Sequence, residues 1–459
     1  MLPYFTENDT AAAIPIWPVN ESAYPAWRKS RSAAERQWLR AVRFKPRPGK
    51  WARLPGPDGR LAGVVVGVAD PCAPWDFAKL PKALMRGNFR VEGARDAATA
   101  HAAAVGWGLG TYEFTRYRAK GRSRFATLVV PRACDPETAR RVIAATFFVR
   151  DLVNTPASDM GPADLADAAA DMGRPFHART KVTVGEALLE RNLPAIHAVG
   201  RASDRAPRLI DLRWGARAAP RLTLVGKGVC FDSGGLDIKT HTGMKLMKKD
   251  MGGAAHVLAL AHMIMDAGLP VRLRVLIPAV DNAISGSAMR PGDVVPTRKG
   301  LHIEIGHTDA EGRVVLADAL ALADEDSPDL IVDCATLTGA ARVALGTGLT
   351  PFFTDDDAFA SQVVRAGESE SDPVWRLPLW KPYERLIESS IADINNSGDS
   401  RFGGALTAAL FLRSFVTRAK AWAHFDMYAW NSKSRPGRPA GGEATGLRTL
   451  FTALRARYG

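Results

Sequence analysis

From Val182 onward the chain alternates short apolar runs with helical ones, and no other feature restricts its fold as much. Val182-Thr183-Val184 and Ala195-Ile196-His197-Ala198-Val199 read as strands, with a helix over 185–191 between them. Residues 209–214, 222–225, 271–279, 301–305 and 330–335 read as further strands, and 253–267 and 313–325 as helices. Strands that alternate with helices predict a three-layer α/β/α domain around a mostly parallel sheet.

The first third is different. Residues 1–130 are rich in Trp, Arg and Pro, with short strands at 61–66 and 125–130. Asp135-Pro136-Glu137 then opens a helix, with a capping residue, a proline in the first turn and an acid at the positive end of the dipole. Asn154-Thr155-Pro156 stops it near Val153. A chain of 459 residues exceeds one ordinary core. The reading is a smaller N-terminal α/β domain over 1–140 and a larger α/β domain over 141–459.

Charge divides in the same way. Residues 1–140 hold 23 Lys+Arg against 12 Asp+Glu, so nearly all of the net +13 lies there. Such a surface is either a solvated face or a site for an anionic partner such as DNA. Trp27, Trp38 and Trp51 stand among these arginines and suit either base stacking or core packing. The four cysteines are far apart and include no CxxC pair, as expected of reduced, buried thiols in a cytoplasmic protein. No run approaches the roughly 18 apolar residues of a membrane helix. The opening MLPYFTENDT lacks the basic-then-apolar order of a signal peptide.

In sheets of this kind ligands sit outside the carboxyl ends of the strands. Three stretches fall there. VGKGVCFDSGGLDIK carries Lys227, Asp232 and Lys239; MKLMKKDMGGAAH carries Asp250; GHTDAEGR carries Asp309, Glu311 and Arg313. Four converging carboxylates repel one another unless positive charge lies among them, and two divalent cations would neutralise them. Alternate residues of an extended segment project to one side, so Asp309, Glu311 and Arg313 are expected to face one site. Taken singly the motifs have plainer readings. Acids before a helix serve as caps, the Walker pattern is incomplete, and nothing resembles HExxH. His256 and His262 therefore read as core or surface residues, and Ser233 has no evident His–Asp partnership.

Together with RDLVNTPASDMGP, RPGDVV, ATLTGAARVALG and FGGALTAALFL, these stretches resemble the leucyl aminopeptidase (M17) family of dinuclear metallopeptidases, in order over about residues 140–450. The first third is assigned as the family's non-catalytic domain by position alone. The resemblance implies two divalent metal ions, Zn²⁺ or Mn²⁺. Lys227, Asp232, Asp250 and Glu311 would form one site, and Asp232, Asp309 and Glu311 the other. It implies Lys239 as the catalytic lysine and Arg313 as the holder of a bicarbonate general base. Met247, Thr336 and Gly339 would belong to a pocket for leucine-like side chains on peptide substrates, in a homohexamer. His307 stands where the family usually has asparagine; two residues before Asp309, it is expected beside the pocket and on the side of the ligands. The rivals are another dinuclear hydrolase such as a phosphoesterase, whose sites usually include histidine ligands, and a DNA-binding regulator, since some bacterial relatives bind DNA.

Overall fold

The computed structural model describes residues 4–7, 12–94, 96–119, 123–398 and 400–459. The first ten residues, read above for a leader, lie partly outside them. The chain divides into two units, Met1–Phe147 with Asn431–Ala440, and Phe148–Trp430 with Gly441–Gly459.

The first unit is built on strands β1 (Phe5–Thr6), β2 (Ile14–Val19), β3 (Trp51–Pro55), β4 (Leu61–Gly67), β5 (Asn88–Val91) and β6 (Thr127–Val129). Their order is β1-β6-β5-β2-β4-β3, with β3 antiparallel to β4 and the other pairs parallel. Helix α1 (Ala97–Gly110), capped by Asp96, adds Ala103 and Trp107 to a core with Ile16, Val64, Phe89 and Leu128. Trp107 is fully buried because its indole N–H finds the Ala126 carbonyl at 3.2 Å. Trp27 stacks on Tyr24 beneath the Arg31 guanidinium, and Trp51 packs against the core. Trp38 stays 41% exposed and donates to the Arg53 carbonyl.

The helix announced by Asp135 is α2 (Pro136–Asn154). The second unit then contains β7 (Arg179–Val184), β8 (Arg208–Trp214), β9 (Arg221–Gly226), β10 (Gly228–Asp232), β11 (Arg272–Asn282), β12 (Val294–Pro296), β13 (His302–Glu304), β14 (Leu330–Ala335), β15 (Thr350–Thr354), β16 (Val374–Arg376), β17 (Ile394–Asn395) and β18 (Trp422–Asp426). The main sheet runs β16-β15-β18-β14-β9-β11-β8-β7, with β10 also paired to β11. Its centre, β18-β14-β9-β11, is parallel; β15 against β18, β11 against β8 and β8 against β7 are antiparallel. β12, β13 and β17 form a small separate sheet.

Residues 195–199, expected as a strand, are instead helix α3 (Pro194–Gly200). A five-residue apolar run does not reveal its own period. Pro194 suits the first helical position, and the Asp318 carboxylate takes the N–H groups of Ala195 and Ile196 at 2.8 and 3.2 Å. The cap arrives from a distant part of the chain. The expected helix over 185–191 contracts to the single turn Ala187–Glu190. Helices α4 (Gly252–Asp266) and α5 (Glu311–Asp324) pack against β9 within separate helix groups, α4 with the carboxyl-terminal helix and α5 with α3, which makes three layers. Among the described residues no helix is long and apolar enough to cross a membrane, and all four cysteines are free.

Candidate active site

Every acid singled out in the sequence comes to the carboxyl edge of the parallel strands. Lys227 lies between β9 and β10, Asp232 ends β10, Asp250 precedes α4, and Glu311 is the first residue of α5. The loop after β10 turns through Gly234 and Gly235, at φ +90° and +66°, conformations that a side chain would strain. This reversal lets the Lys239 N–H reach the Ser233 carbonyl at 3.0 Å and brings its amine back over Asp232.

Lys227 Nζ sits 2.6 Å from Asp250 Oδ2 and 2.8 Å from Glu311 Oε1, and donates to the Thr336 carbonyl at 3.2 Å. Thr336 Oγ1 in turn donates to Asp250 Oδ1 at 2.8 Å. Lys239 Nζ bridges Asp232 Oδ2, at 2.7 Å, and Asp309 Oδ1. Asp232 Oδ1 accepts from the Gly234 N–H and from Asn282 Nδ2, at 2.9 and 2.8 Å. Oxygens of Asp232, Asp309 and Glu311 lie within 4.8 Å of one another.

The electrostatics show crowded negative charge. Burial and the Asp232 carboxylate push Glu311 up to about 8, and burial with Asp250 pushes Asp232 up to about 6. Asp250 is buried too, yet Lys227 and Lys249 hold it below the ordinary carboxylate range. Burial opposes the charge on Lys227 and Lys239, but their carboxylate partners outweigh it and raise both amines. Direct ion pairs with Lys227 and Lys239 still leave carboxylate oxygens of the four acids unsatisfied. Among the described residues Glu311 Oε2 has no hydrogen-bond partner, and Glu311 Oε1 and Asp250 Oδ2 face Lys227 without hydrogen-bond alignment. Orphaned buried carboxylate oxygens are costly unless a cation takes them. Hard oxygen donors around one amine therefore fit divalent metal ions.

Two expectations about GHTDAEGR need correction. The segment is not extended: Thr308–Ala310 is a 3₁₀ turn and Glu311 already begins α5. Asp309 and Glu311 meet because a turn joins a helix start, not because alternate residues share a side. Arg313, in the first turn of α5, is buried and donates to the Asn396 carbonyl at 2.6 Å. His307 is no wall of the cavity beside these acids. Its ring is half-exposed and Nδ1 accepts the Asp309 N–H at 3.1 Å, so it caps the turn.

The cavity, about 380 Å³, is walled by Met247, Thr336 and Gly339 with Leu246, Met427 and Tyr428, beside the acids and lysines. Asn282 and Asn396 escaped the sequence reading. Asn282 Nδ2 ties Asp232 to the Thr308 carbonyl. Asn396, fully buried, accepts from the Gly306 and His307 N–H groups and donates to the His307 and Ala310 carbonyls. The polar end of the apolar run in β11 could have pointed to Asn282. Asn396 lies about 90 residues from its partners and gives no local signal. His256 and His262 are not at the site: His256 bonds to Gly252 and Thr445, and His262 packs edge-on to Phe176.

Fold and site define a class, a three-layer α/β/α protein with a buried carboxylate–lysine centre at the carboxyl edge of its sheet, suited to metal-dependent chemistry. Residues 147–451 match the model of the cytosol aminopeptidase family, catalytic domain, and residues 14–131 that of the M17 aminopeptidase N-terminal domain. The chain belongs to the cytosol aminopeptidase family. It is 42% identical to a probable cytosol aminopeptidase of Roseiflexus castenholzii over 364 residues, 76% of this chain and 74% of the relative. The crystal structure of a cytosol aminopeptidase from Coxiella burnetii superposes with a TM-score of 0.95 at 48% identity, over the whole of both chains. The bottromycin maturation enzyme BotP in complex with Mn gives a TM-score of 0.85 at 36% identity, over 97% of this chain and 100% of that one.

Proposed function

We propose that this aminopeptidase uses two divalent metal ions, held by Lys227, Asp232, Asp250, Asp309 and Glu311, to release leucine-like residues from peptide N-termini. The observation that carries the reading is the uncompensated carboxylate: four acids share two lysines, and Glu311 Oε2 is buried without a partner. Cations bound there supply Lewis acidity toward water and carbonyl and an anchor for a free α-amine, which restricts cleavage to the N-terminal residue. Zn²⁺ and Mn²⁺ both suit the donors, and the manganese complex of BotP favours including Mn²⁺.

The chain's own residues do the rest. Lys227 gives up its proton to serve as a ligand, since a neighbouring dication reverses the effect of the acids. Lys239 stays protonated and donates to the scissile carbonyl oxygen, most strongly as that oxygen gains charge. Arg313 keeps a buried Nε with no hydrogen-bond partner, which suits it to hold a bicarbonate as general base. Met247, Thr336 and Gly339 receive the apolar side chain. The same reading, drawn from the family, makes the protein a cytoplasmic homohexamer. An accessory DNA contact through the first unit is supported by a groove where Trp38 and Trp51 lie among Arg43, Lys45, Arg47 and Lys50.

Chelation tests the central claim. Metal-free protein is expected to lose hydrolysis of a leucine amide, to regain it with Zn²⁺ or Mn²⁺, and to hold two ions per chain when active. Full activity without metal refutes it. Retention of duplex DNA at about 50 mM salt, declining as salt rises, is the check on the accessory contact.

A further inference from the structure

The opposite edge of the main sheet carries a second concave surface. A cavity of about 430 Å³ is lined by Arg179, Arg213, Arg217, Arg221, Arg272 and Arg274, together with Trp214, Thr223 and a single acid, Asp326. Strand register explains how so many cations meet. Arg179 of β7 stands opposite Arg213 of β8, Arg213 opposite Arg274 of β11, and Arg274 opposite Thr223 of β9. Two residues along β11, Arg272 stands opposite Arg221. Opposed residues share a face of the sheet, as do residues two apart in a strand. Leu222, between Arg221 and Thr223, points the other way and is buried.

This corner is costly to the fold. Like charges directly opposite one another in a sheet are destabilising. Compensation is partial. Asp211 pairs with Arg213 and Arg274 at 3.1 and 2.8 Å, and Asp326 with Arg274 at 2.8 Å. Arg221 gives Nη1 to the Asp326 carbonyl at 2.6 Å. The guanidinium groups of Arg179, Arg217 and Arg272 have no ionic or hydrogen-bond partner among the described residues. Six guanidinium charges against two carboxylates leave a net +4 around one small cavity.

We propose that this cavity is an anion site for a small polyphosphorylated molecule, with phosphoryl oxygens held by Arg179, Arg217, Arg221 and Arg272. Planar guanidinium groups match phosphate oxygens in pairs, and several converging donors favour a ligand with more than one phosphoryl group. The volume is that of a small-molecule site, and half-buried Trp214 offers a wall for an organic portion. The cavity opens at the amino end of β9, whereas Lys227 follows its carboxyl end, so the anion and the peptide occupy separate places.

The test is calorimetric titration of the metal-loaded enzyme with inorganic triphosphate and, separately, with ATP, at about 50 mM salt, where exposed charges are least screened. Both are expected to bind, and ATP more tightly if the Trp214 wall takes the nucleoside; equal affinities assign recognition to the phosphates alone. Each charged hydrogen bond lost costs about tenfold or more in affinity. The Arg179→Ala/Arg272→Ala double variant is therefore expected to raise Kd about a hundredfold, with kcat/KM for a leucine amide unchanged within about twofold. Arg179→Gln, at an exposed position, moves Kd in the same direction by about tenfold. Absence of binding by both anions at millimolar concentration overturns the proposal. So does unchanged affinity in the variants, which would place the anion at the carboxylate–lysine centre. Retention of a short DNA duplex by this edge, without binding of either small anion, overturns it in favour of a nucleic-acid surface.

Discussion

Asn396→Ala isolates a residue whose side chain touches none of the acids yet holds the segment that carries two of them. The side chain makes four hydrogen bonds: from Gly306 N at 2.8 Å, from His307 N at 3.2 Å, to His307 O at 2.9 Å and to Ala310 O at 3.3 Å. A net contribution of about 0.5–1.5 kcal/mol for each gives roughly 2–6 kcal/mol. Gly306 and His307 are exposed enough for water to replace part of this, so the lower end, about 2 kcal/mol, is the expected local loss. The backbone carbonyl of Asn396 that receives Arg313 survives the substitution, so the arginine keeps that contact. Hydrogen exchange read on a peptide covering 300–312 is the direct assay. Amides of Gly306 and His307 should exchange about 30-fold faster, since about 1.4 kcal/mol corresponds to tenfold. As Asp309 and Glu311 lose their positioning, kcat/KM should fall by up to about 10²-fold. Exchange accelerated less than about threefold, with unchanged kcat/KM, would refute the reasoning.

Four further outcomes follow from the same geometry. Lys239→Ala should lower kcat by about 10²–10³ with metal content unchanged, the usual effect of losing one oxyanion donor; a rise in KM alone would assign it to substrate binding. Gly312→Ala should abolish activity while leaving the protein folded, because the new methyl would lie 2.5 Å from Lys227 Cε and 2.6 Å from its Nζ; kinetics and metal analysis read the displacement. His256 is buried, with Nε2 accepting from Thr445 N and Nδ1 facing the Gly252 carbonyl, and burial lowers its pKa below 6.5. The neutral ring thus contributes stability that is fully present above pH 6.5 and is lost as pH falls below it; His256→Gln should flatten the slope of denaturation midpoint against pH in that window. Glu443→Ala, which removes the carboxylate oxygen 2.9 Å from the fully buried Arg150 guanidinium, should cost about 3–5 kcal/mol in denaturant unfolding.

Much of this protein was readable along the chain because its signals are local. The period of the apolar runs located β8, β9, β11, β14, α4 and α5, and three short motifs placed Lys227, Asp232, Lys239, Asp250, Asp309 and Glu311 at strand ends and helix starts. A strand end beside a helix start is a statement about neighbours in sequence, which a one-dimensional pattern can carry. Tertiary structure decided what depends on distant partners. Residues 195–199 are helical because Asp318 caps them from more than 120 residues away, where a five-residue run is ambiguous alone. Arg313 reaches the Asn396 carbonyl, and His307 caps a turn, because Asn396 pins their segment from another loop. The arginine corner has the same origin. Arg179, Arg213 and Arg274 lie far apart in sequence, and strand register alone makes them neighbours. Side-chain charge is written in the chain, but the distance between charges is set by pairing, and Coulombic cost depends on that distance.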